Sequence, residues 1–132
     1  MVDFINNICL FGQTNTQKAF ACGTTSQVYL IGDEKLMTTI DKDKAKEYAN
    51  KTCSLDESIC VNVARWFDKA NETILALQYF ENACEMGEFY GCAVAFNTYS
   101  GELESKSIKK DIKKAKYYKT KLCKAGYKLF CG

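Results

Sequence analysis

Eight cysteines are the residues of this sequence best suited to do chemistry. Thiols can form disulfides, bind metal ions or act as nucleophiles. The chain contains no histidine, which excludes Ser-His-Asp and Cys-His catalysis and any mixed Cys/His metal site. An even number of cysteines favours disulfides in an oxidising compartment, with free core thiols and a zinc site as the alternatives.

The cysteines fall into four local pairs along the chain. The pairs are Cys9 with Cys22, Cys53 with Cys60, Cys84 with Cys92, and Cys123 with Cys131. The residues between the paired cysteines number 12, 6, 7 and 7, and no C-x-x-C occurs. Structural zinc ordinarily uses short C-x2-4-C pairs, so this spacing favours disulfides over metal.

An internal repeat becomes visible when the pairs are aligned on their first cysteine. An aromatic residue lies five positions before each of these cysteines: Phe4, Tyr48, Tyr79 and Tyr118. Alanine lies eight positions before the last three: Ala45, Ala76 and Ala115. Seven positions after the second cysteine of the first three pairs lies another aromatic residue: Tyr29, Phe67 and Tyr99.

These offsets predict two helices per unit. Alanine, the aromatic residue and the first cysteine share one face at 3.6 residues per turn, which defines helix A. A glycine three positions after the cysteine, as at Gly12, Gly87 and Gly126, suits a left-handed helix end. The second cysteine then begins helix B, so a disulfide would link the two helices across the turn. The absence of proline permits long helices.

Stacked hairpins of this kind predict a single all-α domain. A hairpin cannot bury its apolar face alone, whereas neighbouring hairpins can cover each other. We expect an α/α superhelical solenoid of about 3.5 disulfide-linked helix hairpins over residues 1–132. The units span approximately residues 1–40, 41–71, 72–110 and 111–132, with the fourth helix B missing or very short.

The pattern A-x2-[YF]-x4-C-x2-G-x4-C, followed by x6-[YF], resembles the Sel1-like repeat family, which is TPR-like. More narrowly, it is similar to the cysteine-rich branch of Helicobacter and Campylobacter. The match is best over residues 74–101 and 112–131, and it departs from the pattern at Cys9–Cys22 and Cys53–Cys60, whose spacing differs.

The resemblance implies an exported protein, periplasmic or secreted, that recognises other proteins. No leader segment precedes Val2, so we expect that any signal peptide has been removed. Some members of the family are described as binding penicillin or weakly hydrolysing β-lactams, and this is the alternative function. Ser107 and Lys110 form the one Ser-x-x-Lys match, which is at the level expected by chance.

Charge points to one candidate binding surface. Residues 105–132 carry a net charge of +9, whereas residues 41–104 carry −6. In the last helix A we expect Ile112, Ala115, Tyr118 and Leu122 to face inward. The residues left for solvent or a partner are Lys113, Lys114, Lys116, Tyr117, Lys121 and Lys124. Lysine mixed with tyrosine can attract an acidic protein surface.

The remaining expectations concern other ligands. We expect no cofactor, no metal, no catalytic residue and no nucleic-acid partner. Glu81, Glu85 and Glu88 lie at helical spacing and are expected to form an exposed face rather than a catalytic carboxylate pair. No run of apolar residues is long enough to span a membrane, and we expect a monomer. The identity of the protein partner is not indicated.

Overall fold

Helices account for all the regular secondary structure in the part of the chain that the structure describes. The computed structural model describes residues 9–32, 39–101 and 107–132, except for the side chain of Glu57. Six α-helices follow in order: α1 (Asn15–Ile31), α2 (Lys42–Leu55), α3 (Glu57–Lys69), α4 (Thr73–Glu85), α5 (Phe89–Ser100) and α6 (Ile112–Lys124). A 3-10 helix, Lys128–Phe130, follows α6, and residues 9–11 are also helical. The all-α prediction is confirmed for the described residues. Phe4, the first aromatic position of the predicted repeat, lies outside them.

Polar side chains begin several of these helices. The Asp41 carboxylate accepts a hydrogen bond from the Lys44 amide, and the Asp111 carboxylate accepts one from the Lys114 amide, both at 3.1 Å. Thr14 caps α1 in the same way. Each cap provides an acceptor for an amide that has no partner within its own helix, which is typically worth about 1 kcal/mol.

All eight cysteines form disulfides. The bonds join Cys9 to Cys22, Cys53 to Cys60, Cys84 to Cys92, and Cys123 to Cys131. The two middle bonds link α2 to α3 and α4 to α5 across short turns. Closing loops of this length contributes about 2–3 kcal/mol per bond in the chain-entropy model. The expected cysteine-rich, disulfide-bonded character is therefore confirmed.

Two of the helices that contain the first cysteine of a disulfide pair are followed by a glycine. Gly87 follows α4 with φ 98°, and Gly126 follows α6 with φ 102°. An L-residue with a side chain rarely adopts this left-handed conformation. The chain can therefore turn within a few residues and bring the second cysteine of each pair back to the first.

Helices that are neighbours in the chain pack on one another. α1 packs on α2, α3 on α4 and α5 on α6, while α2–α3 and α4–α5 form the disulfide-linked hairpins. One cluster of buried residues lies between α2, α3 and α4; it includes the fully buried Phe67 and also Leu30 of α1. A second cluster lies between α4, α5 and α6 and includes Tyr118 and Leu122. α4 contributes residues to both clusters.

Two glycines allow close contact between helices. A Cβ atom on Gly91 would lie 2.2 Å from the Phe80 carbonyl oxygen, so α5 approaches the backbone of α4 at this point. A Cβ atom on Gly23 would lie 3.1 Å from the ring of Trp66. The ring of Trp66 on α3 thus packs closely against α1 at Gly23.

Ile112 is the position where the expected inward face of α6 is wrong. Ala115, Tyr118 and Leu122 are buried, whereas Ile112 is 62% exposed. It is the first residue of α6 and lines an open groove, where most of its side chain stays exposed. None of the described helices has the length and apolar character needed to cross a membrane.

Candidate functional site

The aromatic positions of the internal repeat meet in pairs where one hairpin follows another. The ring pairs are Tyr29 with Tyr48 at 6.0 Å, Phe67 with Tyr79 at 5.1 Å, and Tyr99 with Tyr118 at 6.1 Å between centroids. The first and last pairs are stacked, with interplanar angles of 11° and 7°. One aromatic contact therefore recurs at three successive helix junctions.

A main-chain hydrogen bond accompanies each ring pair. The amides of Asp41, Glu72 and Asp111 donate to the carbonyl oxygens of Tyr29, Phe67 and Tyr99, respectively, at 2.8, 2.9 and 2.8 Å. At the first and last junctions a lysine ammonium also lies over the ring: Lys44 over Tyr29 at 5.2 Å and Lys114 over Tyr99 at 5.0 Å. The junctions share backbone geometry as well as side-chain type.

The predicted binding residues lie on α6 beside these junctions. Five of them are exposed: Lys113, Lys114, Lys116, Tyr117 and Lys124. Lys121 is partly buried, with 30% of its side chain exposed. Lys114, Tyr117 and Lys121 share the side of α6 that faces α4 and α5, and we call them, together with Lys113, the helix-A face. Lys116 and Lys124 lie toward the groove.

Glu85 of α4 holds two residues of the helix-A face. The Tyr117 hydroxyl donates to its Oε1 atom and Lys121 Nζ donates to its Oε2 atom, both at 2.8 Å. These bonds, that of Lys121 first, lower the pKa of the Glu85 carboxyl. The same contacts raise the pKa of Lys121 and of the Tyr117 hydroxyl. Both side chains are thus held in defined positions at the surface.

Glu81, one helical turn earlier on α4, contacts the neighbouring tyrosines. The Tyr99 hydroxyl donates to Glu81 Oε1. Burial, followed by this hydrogen bond, raises the pKa of Tyr99, and burial followed by the charge of Glu81 raises the pKa of Tyr118. Glu81 and Glu85 therefore link α4 to α5 and α6 by accepting hydrogen bonds from tyrosine hydroxyls.

Four lysines of the predicted set form no ion pair in the described part of the chain: Lys113, Lys114, Lys116 and Lys124. Lys121 is paired with Glu85, and the ammonium group of Lys114 lies over the ring of Tyr99. The exposed positive charge on α6 therefore extends from Lys114 on the helix-A face to Lys116 and Lys124 beside the groove.

An apolar groove of about 600 Å³ lies along the other side of α6. Phe96 of α5 and Phe130 of the 3-10 helix form part of its floor, with their rings 5.4 Å apart in an edge-to-face arrangement. Ile112 and Ala115 of α6 complete the apolar lining, and Lys116, Lys119 and Lys124 border it. The sequence analysis did not identify this groove, because it depends on how Phe96 and Phe130 pack beside α6.

A smaller, more polar cleft of about 430 Å³ lies beside the helix-A face. Glu81, Tyr99, Lys110 and Lys114 are among the residues that line it. Ser107 also lines it, but Ser107 lies in a bend before α6. A serine acylase of the Ser-x-x-Lys type needs both residues on one helix, so this match does not have the required local structure.

Comparisons with protein-family models, curated proteins and solved structures give no match. The resemblance to Sel1-like repeats therefore rests on the sequence pattern alone.

Proposed function

We propose that this chain is an exported, Sel1-like solenoid of disulfide-linked helix hairpins that binds another protein through its helix-A surface. The recurrent junction supports the solenoid, because the same ring pair and the same main-chain hydrogen bond occur at three positions. Repeats that contact only their neighbours present extended surfaces suited to protein recognition. Inhibition of a single exported enzyme or binding of a host factor are both forms of this function.

The disulfides support the exported location, periplasmic or secreted. Four disulfides use every cysteine of the chain. Structural disulfides persist mainly in oxidising compartments, whereas cytosolic thiols are kept reduced. A small protein that works outside the cytosol gains stability from such bonds without a large core.

The observation that carries the binding function is the helix-A face of α6. Glu85 fixes Tyr117 and Lys121, and Tyr99 lies beneath Lys114. A partner that binds these side chains loses less conformational entropy than one that must order free lysines. The surrounding positive charge favours a partner with an acidic surface, and it raises the association rate at low salt.

Charge reversal on this face tests the proposal. We expect wild-type protein, immobilised in its oxidised form, to capture an acidic protein from the periplasmic or secreted fraction of the source organism. The Lys113→Glu/Lys114→Glu variant should reduce capture by about tenfold or more, because two attractive contacts become repulsive. Captured proteins are identified and quantified by mass spectrometry.

The matched control places the same charge change elsewhere. Lys18→Glu/Lys69→Glu alters net charge equally on α1 and α3, away from α6. Capture should be retained in this control. Equal loss in both variants, or retention in both, would contradict binding through the helix-A face.

A further inference from the structure

The groove along α6 occupies a place that a helix fills in the preceding hairpin. On α4, Leu77, Phe80 and Cys84 are buried, and α5 packs against them. The α6 residues at the same distances from the cysteine are Lys116, Lys119 and Cys123, and all three line the groove. The 3-10 helix Lys128–Phe130 begins at the same distance from Cys123 as α5 begins from Cys84.

We propose that this groove binds an amphipathic α-helix with acidic side chains, contributed by a partner protein. The lining residues of α6 recur at helical spacing from Ile112 to Lys124, three and four residues apart. Twelve residue steps at 1.5 Å each give a groove about 18 Å long. A helix of three to four turns matches this length.

Charge determines the chemistry of the occupant. In the α4–α5 hairpin the covering helix meets Leu77 and Phe80, so it can be apolar on that side. On α6 the equivalent residues are lysines, whose alkyl stems can pack on an apolar partner while their ammonium groups stay at the rim. Lys119 donates to the Gly132 main-chain oxygen, whereas Lys116 and Lys124 are exposed. Glutamate or aspartate beside the apolar stripe of the partner would pair with them.

The shape of the groove favours a helix over a small amphiphile such as a fatty acid. Pockets for small molecules enclose most of the ligand surface. Here Ile112, at one end of the apolar lining, is 62% exposed. An alkyl chain would remain largely in water on such a surface, whereas a helix needs to bury only one face.

This inference rests on the proposed function as a protein-binding module, but it concerns a different surface. Its residues are Ile112, Lys116 and Lys124, which lie toward the groove, while Lys114, Tyr117 and Lys121 belong to the helix-A face. Variants on the two sides of α6 can therefore fail independently.

A labelled model peptide tests the groove directly. The probe is a fluorescein-labelled peptide of roughly 16 residues with a leucine stripe at helical spacing and glutamates flanking it. We expect its fluorescence anisotropy to rise on titration with oxidised protein. Ile112→Glu should weaken binding about tenfold or more, because it removes an apolar contact and adds repulsion. Lys116→Glu/Lys124→Glu should weaken it to a similar degree, and added salt should weaken wild-type binding.

Three controls separate this proposal from its rivals. Lys114→Glu, on the opposite side of α6, should leave peptide affinity within about twofold. The same peptide with lysine in place of each glutamate should bind far more weakly. All substituted residues are exposed, and circular dichroism checks that each variant keeps its helices. Three results would overturn the proposal. The acidic peptide would fail to bind, or the lysine peptide would bind equally well. Alternatively, laurate would compete with the acidic peptide while Ile112→Glu left the peptide affinity unchanged.

Loss of peptide binding with intact partner capture would refute the groove but not the helix-A face. Loss of partner capture in Lys113→Glu/Lys114→Glu with intact peptide binding is the result expected if the helix-A face and the groove bind independently. If wild-type protein captured no partner but still bound the peptide, binding through the helix-A face would be refuted while the groove proposal would stand.

Discussion

At the scale of single residues, Glu85 is the side chain that orders the candidate surface. Its two oxygens accept hydrogen bonds from Tyr117 and Lys121 of α6, although Glu85 itself belongs to α4. All three side chains are at or near the surface, so water screens their charges and the free-energy contribution of the ion pair is small. The effect of these contacts is to hold the Tyr117 ring and the Lys121 side chain next to each other.

The lowered pKa of Glu85 gives a prediction with a definite sign. In the folded protein Glu85 stays ionised to a lower pH than in the unfolded chain. Its contribution to the free energy of unfolding is therefore present above the unfolded pKa and is lost as the pH falls through the folded pKa. Tyr117→Phe should raise the folded pKa of Glu85 toward its ordinary value, and Lys121→Met should raise it further, since the Lys121 bond is the larger cause. Carboxyl-carbon NMR titration measures both values.

Tyr127→Phe is the control for that titration. Tyr127 packs against Phe89 and contributes no hydrogen bond to Glu85. The Glu85 midpoint should be the same in this variant as in the wild type. A midpoint unmoved by Tyr117→Phe and Lys121→Met would show that the contacts between α4 and α6 do not persist in solution.

The residue types of this surface were predictable, but their partners were not. Tyr117 and Lys121 fall on the exposed side of a helix by periodicity, which sequence reveals directly. Their bonds to Glu85 depend on how α6 is placed against α4, 32 and 36 residues away in the chain. Ile112 was wrongly expected inside for a related reason: periodicity assigns a face to a residue, but it does not say whether another helix covers that face.

At the scale of helices, Gly91 sets how closely α4 and α5 pack. A Cβ atom on Gly91 would collide with the Phe80 carbonyl oxygen, and the backbone of a buried helix cannot move aside easily. The disulfide between Cys84 and Cys92 holds the same two helices together next to this contact. The sequence alignment singled out glycines at the turn but not this one, because it lies inside helix B and has no equivalent in the other units.

Gly91→Ala should therefore destabilise the protein. We expect the free energy of unfolding to fall by about 2–3 kcal/mol, as found for overpacking in close-packed cores. Gly23→Ala is the matched control, also a glycine within a helix. There the obstructing atoms belong to the ring of Trp66, which is partly exposed, and alanine favours the helix by about 1 kcal/mol. Gly23→Ala should be near neutral.

Urea unfolding followed by circular dichroism compares the two variants, with disulfides intact in both. Gly91→Ala is predicted to be less stable than Gly23→Ala because of its contact with the backbone, not because of the general preference of helices for alanine. If Gly91→Ala were as stable as Gly23→Ala, the close approach of α4 and α5 would have to be abandoned.

At the scale of the whole molecule, the helical content and the disulfides followed from spacing because both are local. Helix periodicity extends over a few turns, and the paired cysteines are separated by at most 13 positions. The groove was not foreseen, since it depends on how α5 and the 3-10 helix are placed against α6. The helices pack in chain order, because each of these two buried clusters is formed by a small group of neighbouring helices.

Such packing predicts that a local defect has a local effect. Phe67 is buried in the cluster between α2, α3 and α4, and its ring contacts Tyr79. Leu122 is buried in the cluster between α4, α5 and α6. In a chain of nearest-neighbour interfaces, loosening one interface lowers the free energy of local opening there and leaves distant interfaces nearly unchanged.

Native-state amide hydrogen exchange tests this with the pair Phe67→Leu and Leu122→Val, each expected to cost about 1 kcal/mol. Phe67→Leu should speed exchange in α2 and α3 by about fivefold while α6 stays within twofold of the wild type, and Leu122→Val should show the reverse. α4 should respond to both, because it has residues in both clusters. Uniform acceleration of all helices by either substitution would mean that the molecule opens as one cooperative unit, and the proposed solenoid would then lose its thermodynamic basis.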